Sequence, residues 1–316
     1  MRVVRISRFG GPEVLEVVEA ADPVPGPGEV VVEVAAAGVN YADLSRAAGS
    51  YGGVTLPFVL GSEVVGRTPD GRRVVAFTFA GGGFAERAVV PATEVVEIPE
   101  EVGDGEALAM LVQGLTAWHL LRGSARLGQG ESVVVNAAAG GVGSLAVQLA
   151  REFGAGRVIA AASTEEKRAL ALELGADAAV DSEPEGYSAR VRQANQGRGA
   201  DVVLDANGGA ALAAGLDALA QFGRLVSYGN ASRQGRPPVD AERLAEGNLT
   251  YAGFWLRPAL TLDDGFRRPL TALLDLVAKG RLRVVTGAEY PLADAGRAFA
   301  DIAARRTTGK VVLRVR

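Results

Sequence analysis

The run Ser132-Val133-Val134-Val135-Asn136 passes through Ala137-Ala138-Ala139-Gly140-Gly141-Val142-Gly143 into a further apolar stretch, and this join constrains the fold more than any other part of the chain. A β-branched run, a glycine-rich turn and an apolar segment of helical spacing read as strand, tight turn and helix. The alternation continues: strands are expected at 158–162, 178–180, 201–205 and 224–228, and helices at 164–174, 187–195 and 209–221. Strands alternating with helices imply right-handed crossovers and a parallel sheet covered by helices on both faces.

Such a turn has a chemical use. In the G-x-G-x-x-G pattern the first glycine permits the turn, the second admits a pyrophosphate to the backbone, and the third lets helix and strand pack closely. Here those positions fall on Ala138, Gly140 and Gly143. Ala139, Gly140, Gly141, Val142 and Gly143 are the candidate pyrophosphate contacts, through N–H groups at the start of a helix and its macrodipole. A bare match can also be a structural turn that binds nothing, but the surrounding strand and helix series favours a dinucleotide site.

The end of the next strand bears on which dinucleotide. An NAD site carries Asp or Glu there, about 20 residues beyond the glycines. This chain has Ala162-Ser163-Thr164-Glu165-Glu166-Lys167. Ser163 and Thr164 can donate hydrogen bonds, and Lys167, one of three lysines, can neutralise a 2′-phosphate, which favours NADPH. Ser163 or Thr164 is equally placed to cap the following helix.

With 316 residues the chain has room for two domains. Before residue 100, Val-rich runs at 14–18, 30–37, 74–77, 84–90 and 95–98 are broken by Gly and Pro, as in an antiparallel or barrel-like unit. A helix is expected at 104–122. After 256 the rhythm changes again, with helices near 269–279 and 293–304 and strands near 284 and at 310–314, read as returning to the first domain. The expected organisation is 1–115, 116–256 and 257–316.

A net charge of −4 gives no basic surface for nucleic acid or anionic lipid, so a small-molecule substrate is expected. Charge interrupts the first residues, no run reaches the length of a spanning helix, and cysteine is absent; a cytoplasmic location without export is therefore expected. His119 is the only histidine, so no zinc ligand set of the usual N and S donors exists and no metal is expected. His119 itself reads as a packed residue.

Several further segments carry a family resemblance: Gly10-Gly11-Pro12-Glu13-Val14-Leu15, Gly38-Val39-Asn40-Tyr41-Ala42-Asp43, Gly61-Ser62-Glu63-Val64-Val65-Gly66, Gln113-Gly114-Leu115-Thr116-Ala117, Ser227-Tyr228-Gly229-Asn230 and the run from Arg305 to Leu313. With the glycine-rich turn, they make the whole chain resemble the zinc-free quinone oxidoreductase and zeta-crystallin branch of the medium-chain dehydrogenase/reductases. Where zinc-dependent relatives have a ligand cysteine and a ligand histidine, this chain has Asn40 and Ser62.

The resemblance implies an α/β fold in which a Rossmann doubly wound parallel sheet is inserted in a GroES-like β-barrel catalytic domain. It also implies a cleft between the two, homodimers that pair Rossmann sheet edges, and NADPH-dependent reduction of quinones or of the C=C bond of enones and enoyl thioesters. It places Asn40, Asp43 and Tyr51 along the substrate and nicotinamide cleft, Thr116 near the nicotinamide, Lys167 and Arg305 near the 2′-phosphate, and Tyr228, Gly229 and Asn230 against the cofactor. Asp43 can instead cap a helix, Asn40 serve a turn, and Tyr51 simply pack. Two departures stand out: Ser182 replaces a tyrosine that often stacks by the adenosine phosphate, and the hairpin at 66–74 is shorter than usual.

Reduction of a quinone or enone leaves negative charge on an oxygen, and Tyr51 is the candidate donor to it, with Asn40 and Asp43 as its catalytic neighbours. A non-catalytic NADPH-binding protein is the rival of another class, because a fold does not settle function.

Overall fold

A computed structural model describes residues 1–315 and divides into two compact units, one made of Met1–Val112 and the return from Leu270, the other of Gln113–Pro269. The second unit is built on six parallel strands, in the spatial order Ala178–Asp181, Arg157–Ala162, Ser132–Asn136, Ala200–Asp205, Leu219–Ser227, Thr250–Gly253. Ser132–Asn136 is first in sequence and central in space. Its register sets Val134 between Ile159 and Val203, all three fully buried. Because the connections diverge on either side of it, a crevice opens at the carboxyl ends of Ser132–Asn136 and Ala200–Asp205, where doubly wound sheets take their ligands.

Several details differ from the sequence reading, among them the return to the first unit, which was expected at 257 and begins at Leu270. The helix expected at 209–221 stops at Asp217, and the following strand starts at Leu219, well before 224. A register shift against Ala200–Asp205 and a left-handed Phe222 (φ 62°) bend this strand, so its apolar residues lose the alternation that would have marked it. The edge strand Thr250–Gly253 was not anticipated either. It is four residues long and nowhere fully buried, which leaves little pattern to read.

The first unit is organised around the long strand Glu29–Val39. Its first half pairs with Arg87–Pro91, and its second half lies between Glu63–Arg67 and Lys310–Arg314, all antiparallel. The return segment is thus built into the N-terminal sheet, with Val311 opposite Val39 and Leu313 opposite Ala37. Thr286–Pro291 extends the sheet in parallel beyond Lys310–Arg314. A smaller sheet of Leu15–Glu19, Arg2–Ile6 and Phe58–Val59 completes the unit. Ile6, Leu60, Val64 and Phe84 share its core with Phe299 of the helix Ala295–Ala303.

The helical stretch expected at 104–122 is widened twice into π-type turns, at Met110–Gly114 and Leu120–Ser124. Among the described residues no helix is long and apolar enough to cross a membrane.

Candidate active site

In the second unit the central strand ends at Asn136, and the chain turns through Ala137, whose φ of 52° lies in the left-handed region. The sequence pattern had put the turn on Ala138; the strained residue is Ala137, one position earlier. Ala138 N–H donates to Ala161 O at 3.1 Å and Gly140 N–H to Ala137 O at 2.9 Å, which staples the turn to the neighbouring strand. The helix Gly141–Glu152 follows. A Cβ on Gly143 would stand 2.2 Å from Ala137 O, so the helix can pack on the turn only without a side chain there. The first i→i−4 bond of this helix is Ser144 N–H to Gly140 O; the N–H groups of Gly141, Val142 and Gly143 precede it and point out along the macrodipole. The Gln113 side chain packs against Gly141. This is a cradle that one methyl group would fill, and it fits a pyrophosphate.

Thr164 caps the helix Glu165–Glu173, its Oγ1 accepting from Lys167 N–H at 3.3 Å. Ser163 is exposed and the Lys167 side chain half-buried on the same turn. Arg168, which sequence reasoning passed over, donates from Nη1 to Ala162 O at 3.0 Å and lies 3.3 Å from Asp181, so it ties the strand ends together.

Two loops close the sheet's carboxyl end. Asp205 is fully buried, and burial pushes its carboxyl above the usual range against the hydrogen bonds it accepts from Asn207 N–H and Gly208 N–H, each at 3.1 Å, and from Ser227. The loop it organises is clipped to the next one by Ala231 N–H to Ala206 O and Ser232 N–H to Asn207 O. Asn230, expected against the cofactor, has its side-chain oxygen on Gly235 N–H at 2.9 Å. Burial, and then the nearby Asp205, push the Tyr228 phenol far up. Thr116 is buried on the helix Leu115–His119, and His119 donates from Nε2 to Gly265 O at 2.7 Å.

The first unit gathers Asn40 and Asp43 into a buried polar cluster. Asn40 caps the helix Tyr41–Ala47, and its N–H donates to Asp43 Oδ2 at 2.9 Å. Its amide is fixed at both ends: Nδ2 donates to Glu63 Oε1 at 2.8 Å, and Oδ1 accepts from Lys310 Nζ at 3.2 Å. Lys310 is also paired with Glu63, both fully buried, and the other Glu63 oxygen accepts from Val112 N–H at 2.9 Å in the first widened turn. Gly38 makes room for this pair, since a Cβ there would stand 2.2 Å from Glu63.

Asp43 has no exposed surface. It accepts from Ser62 Oγ at 2.7 Å, and Ser62 in turn accepts from Arg46 Nη1 at 2.8 Å. Burial raises the Asp43 carboxyl above its ordinary range, opposed by these hydrogen bonds and by Arg46. Tyr51 joins through Arg46, whose guanidinium carbon lies 5.3 Å from the centre of its ring. Arg305 stands apart from the cluster, exposed and left-handed (φ 57°) after the helix Ala295–Ala303.

Sequence reasoning missed Arg46, Glu63, Lys310, Asn136, Asp205 and Tyr187, which donates to Asn136 Oδ1. Arg46 had a signal: it is i+3 from Asp43 on one helix. Among the described residues no three His, Cys, Asp or Glu side chains are grouped to hold a metal ion.

Two family models match, the alcohol dehydrogenase GroES-like domain over residues 26–100 and the zinc-binding dehydrogenase over 141–278. The quinone oxidoreductase of Pseudomonas aeruginosa is 35% identical, over 98% of this chain and 98% of its own. The quinone oxidoreductase of Thermus thermophilus, solved alone and in complex with NADPH, is 40% identical with a TM-score of 0.90, covering 100% of both chains. That of Escherichia coli, complexed with NADPH, is 30% identical with a TM-score of 0.94, again over 100% of both. Sequence, sheet order and comparisons agree: the chain belongs to the quinone oxidoreductases of the medium-chain dehydrogenase/reductase superfamily.

Proposed function

We propose that this protein is an NADPH-dependent oxidoreductase that reduces quinones without zinc. One observation carries the reading: Asn40 and Ser62, which stand where the family resemblance puts a ligand cysteine and a ligand histidine in zinc-dependent relatives, are both hydrogen-bonded within a buried cluster that also holds Arg46 and Lys310. An amide and a hydroxyl are poor zinc ligands, and here both are already engaged in hydrogen bonds within a cluster whose cations are paired with its own carboxylates, Glu63 and Asp43.

The turn at Ala139 to Gly143 would hold the pyrophosphate, and Ser163, Thr164 and Lys167 the 2′-phosphate. Thr116, Tyr228, Gly229 and Asn230 would line the nicotinamide end. NADPH when bound supplies a hydride. The chain's own task is then to stabilise the oxygen that becomes negative. Tyr51 donates its O–H to that oxygen, and Asn40 and Asp43 keep the surrounding scaffold rigid.

A homodimer through the edge strand Thr250–Gly253 accompanies this reading. Among the described residues that strand has a neighbour on one side only, and Trp255 and Leu262, which follow it in sequence, are 60% and 64% exposed.

Cofactor oxidation measured against a panel of quinones and a panel of enones tests the proposal. Turnover is expected to be faster with quinones; turnover confined to enones would replace the acceptor class, and none with either would leave only a binding protein.

A further inference from the structure

We propose that Arg46 is a positioning residue for Tyr51, holding the phenol ring through a cation–π contact so that its hydroxyl meets the substrate oxygen; this rests on the reading of Tyr51 as donor. Arg46 is a buried residue in the last turn of Tyr41–Ala47. Its guanidinium is fixed by donation from Nη1 to Ser62 Oγ at 2.8 Å and from Nη2 to Phe79 O at 3.3 Å, and it lies 3.9 Å from Asp43. The same group lies over the Tyr51 ring at 5.3 Å, inside the range of an attractive contact with the aromatic face.

Tyr51 is anchored at its other end to the same helix. Its N–H donates to Ser45 O at 3.2 Å, as does the Ser50 N–H at 3.0 Å. Backbone and ring are therefore both referred to Tyr41–Ala47, and the chain leaves at once through Gly52 and the left-handed Gly53 (φ 83°). Neutralising Asp43 would need only a point charge. A planar guanidinium adds a flat face for the ring while its edge donors remain on Ser62 and Phe79, an arrangement that a lysine ammonium does not reproduce.

The test is a double-variant cycle on Arg46→Met and Tyr51→Phe, with kcat and KM read for the acceptor on which Tyr51→Phe has the largest effect. Arg46→Met is expected to lower kcat about three- to thirtyfold, the range of such a contact, with little change in KM. In the Tyr51→Phe background, where no hydroxyl remains to be aimed, it is expected to cost nothing further. Arg46→Lys retains the charge beside Asp43 and is expected to resemble Arg46→Met; it also carries the test if the methionine variant does not fold. Independent, multiplying losses in the double variant, or full rescue by Arg46→Lys, would overturn the inference and reduce Arg46 to a partner of Asp43. A Tyr51→Phe variant unaffected with every acceptor would instead overturn the donor role of Tyr51.

Discussion

Lys310 and Glu63, 247 positions apart in the chain, form a fully buried ion pair that fastens the returning C-terminal strand to the N-terminal sheet. Removing one partner leaves a charge in the interior without compensation. Lys310→Met is expected to destabilise the first unit by about 3 to 5 kcal/mol, and the double variant Glu63→Gln/Lys310→Met by clearly less. Urea unfolding of the three proteins measures this. Equal losses in the single and double variants would mean that packing of the lysine stem, not the charge pair, dominates.

Asp205 gives a pH dependence. Its carboxyl is raised in the folded state mainly by burial, so in the pH interval between the unfolded and folded values the folded chain binds more protons than the unfolded one. Stability from this group is fully present below the unfolded carboxylate range and is lost as pH rises through the folded value. Asp205→Asn has no such titration. Its deficit relative to the natural chain is expected to be largest in mild acid and to shrink toward neutral pH, as thermal melting at several pH values will show. A deficit that grows with pH would mean that the carboxylate, not the acid, is the form the fold prefers.

Lys167 tests the cofactor's second phosphate. A charge-assisted phosphate contact is worth about 1.5 to 3 kcal/mol, so Lys167→Ala is expected to weaken NADPH binding about ten- to hundredfold while leaving NADH nearly unchanged. Titration of each cofactor by fluorescence checks it. Equal dissociation constants for the two cofactors in the natural chain would contradict the assignment.

The proposed dimer is tested by Trp255→Glu/Leu262→Glu, which places like charges at two exposed apolar residues that follow the edge strand. Sedimentation is expected to show a dimer for the natural chain and a monomer for the variant. A natural chain that is already monomeric would remove the dimer from the account.

The parallel-sheet unit was legible because Val133, Val134 and Val135 run straight into a glycine-rich turn, and burial of a strand on both faces leaves an unbroken apolar run. The first unit was less legible. Arg2–Ile6 and Glu63–Arg67 carry charges, and Glu63 is nevertheless fully buried because Lys310 comes to it from the far end of the chain. For the same reason Asn40 and Asp43 could be named from their motif while their surroundings could not. Arg46, Ser62, Glu63 and Lys310 meet only through long-range pairing of Glu29–Val39 with its neighbours. Ala137 shows the limit of pattern matching: the turn residue is set by backbone geometry, and here it is not the position a glycine template marks.

The central claim is quinone reduction at the expense of NADPH with no metal, and its most direct test is the rate of quinone-dependent NADPH oxidation after exhaustive dialysis against a strong chelator. With Asn40 and Ser62 held by Glu63, Lys310 and Arg46, turnover is expected to be the same before and after dialysis. Loss of turnover that stoichiometric zinc restores would contradict the account.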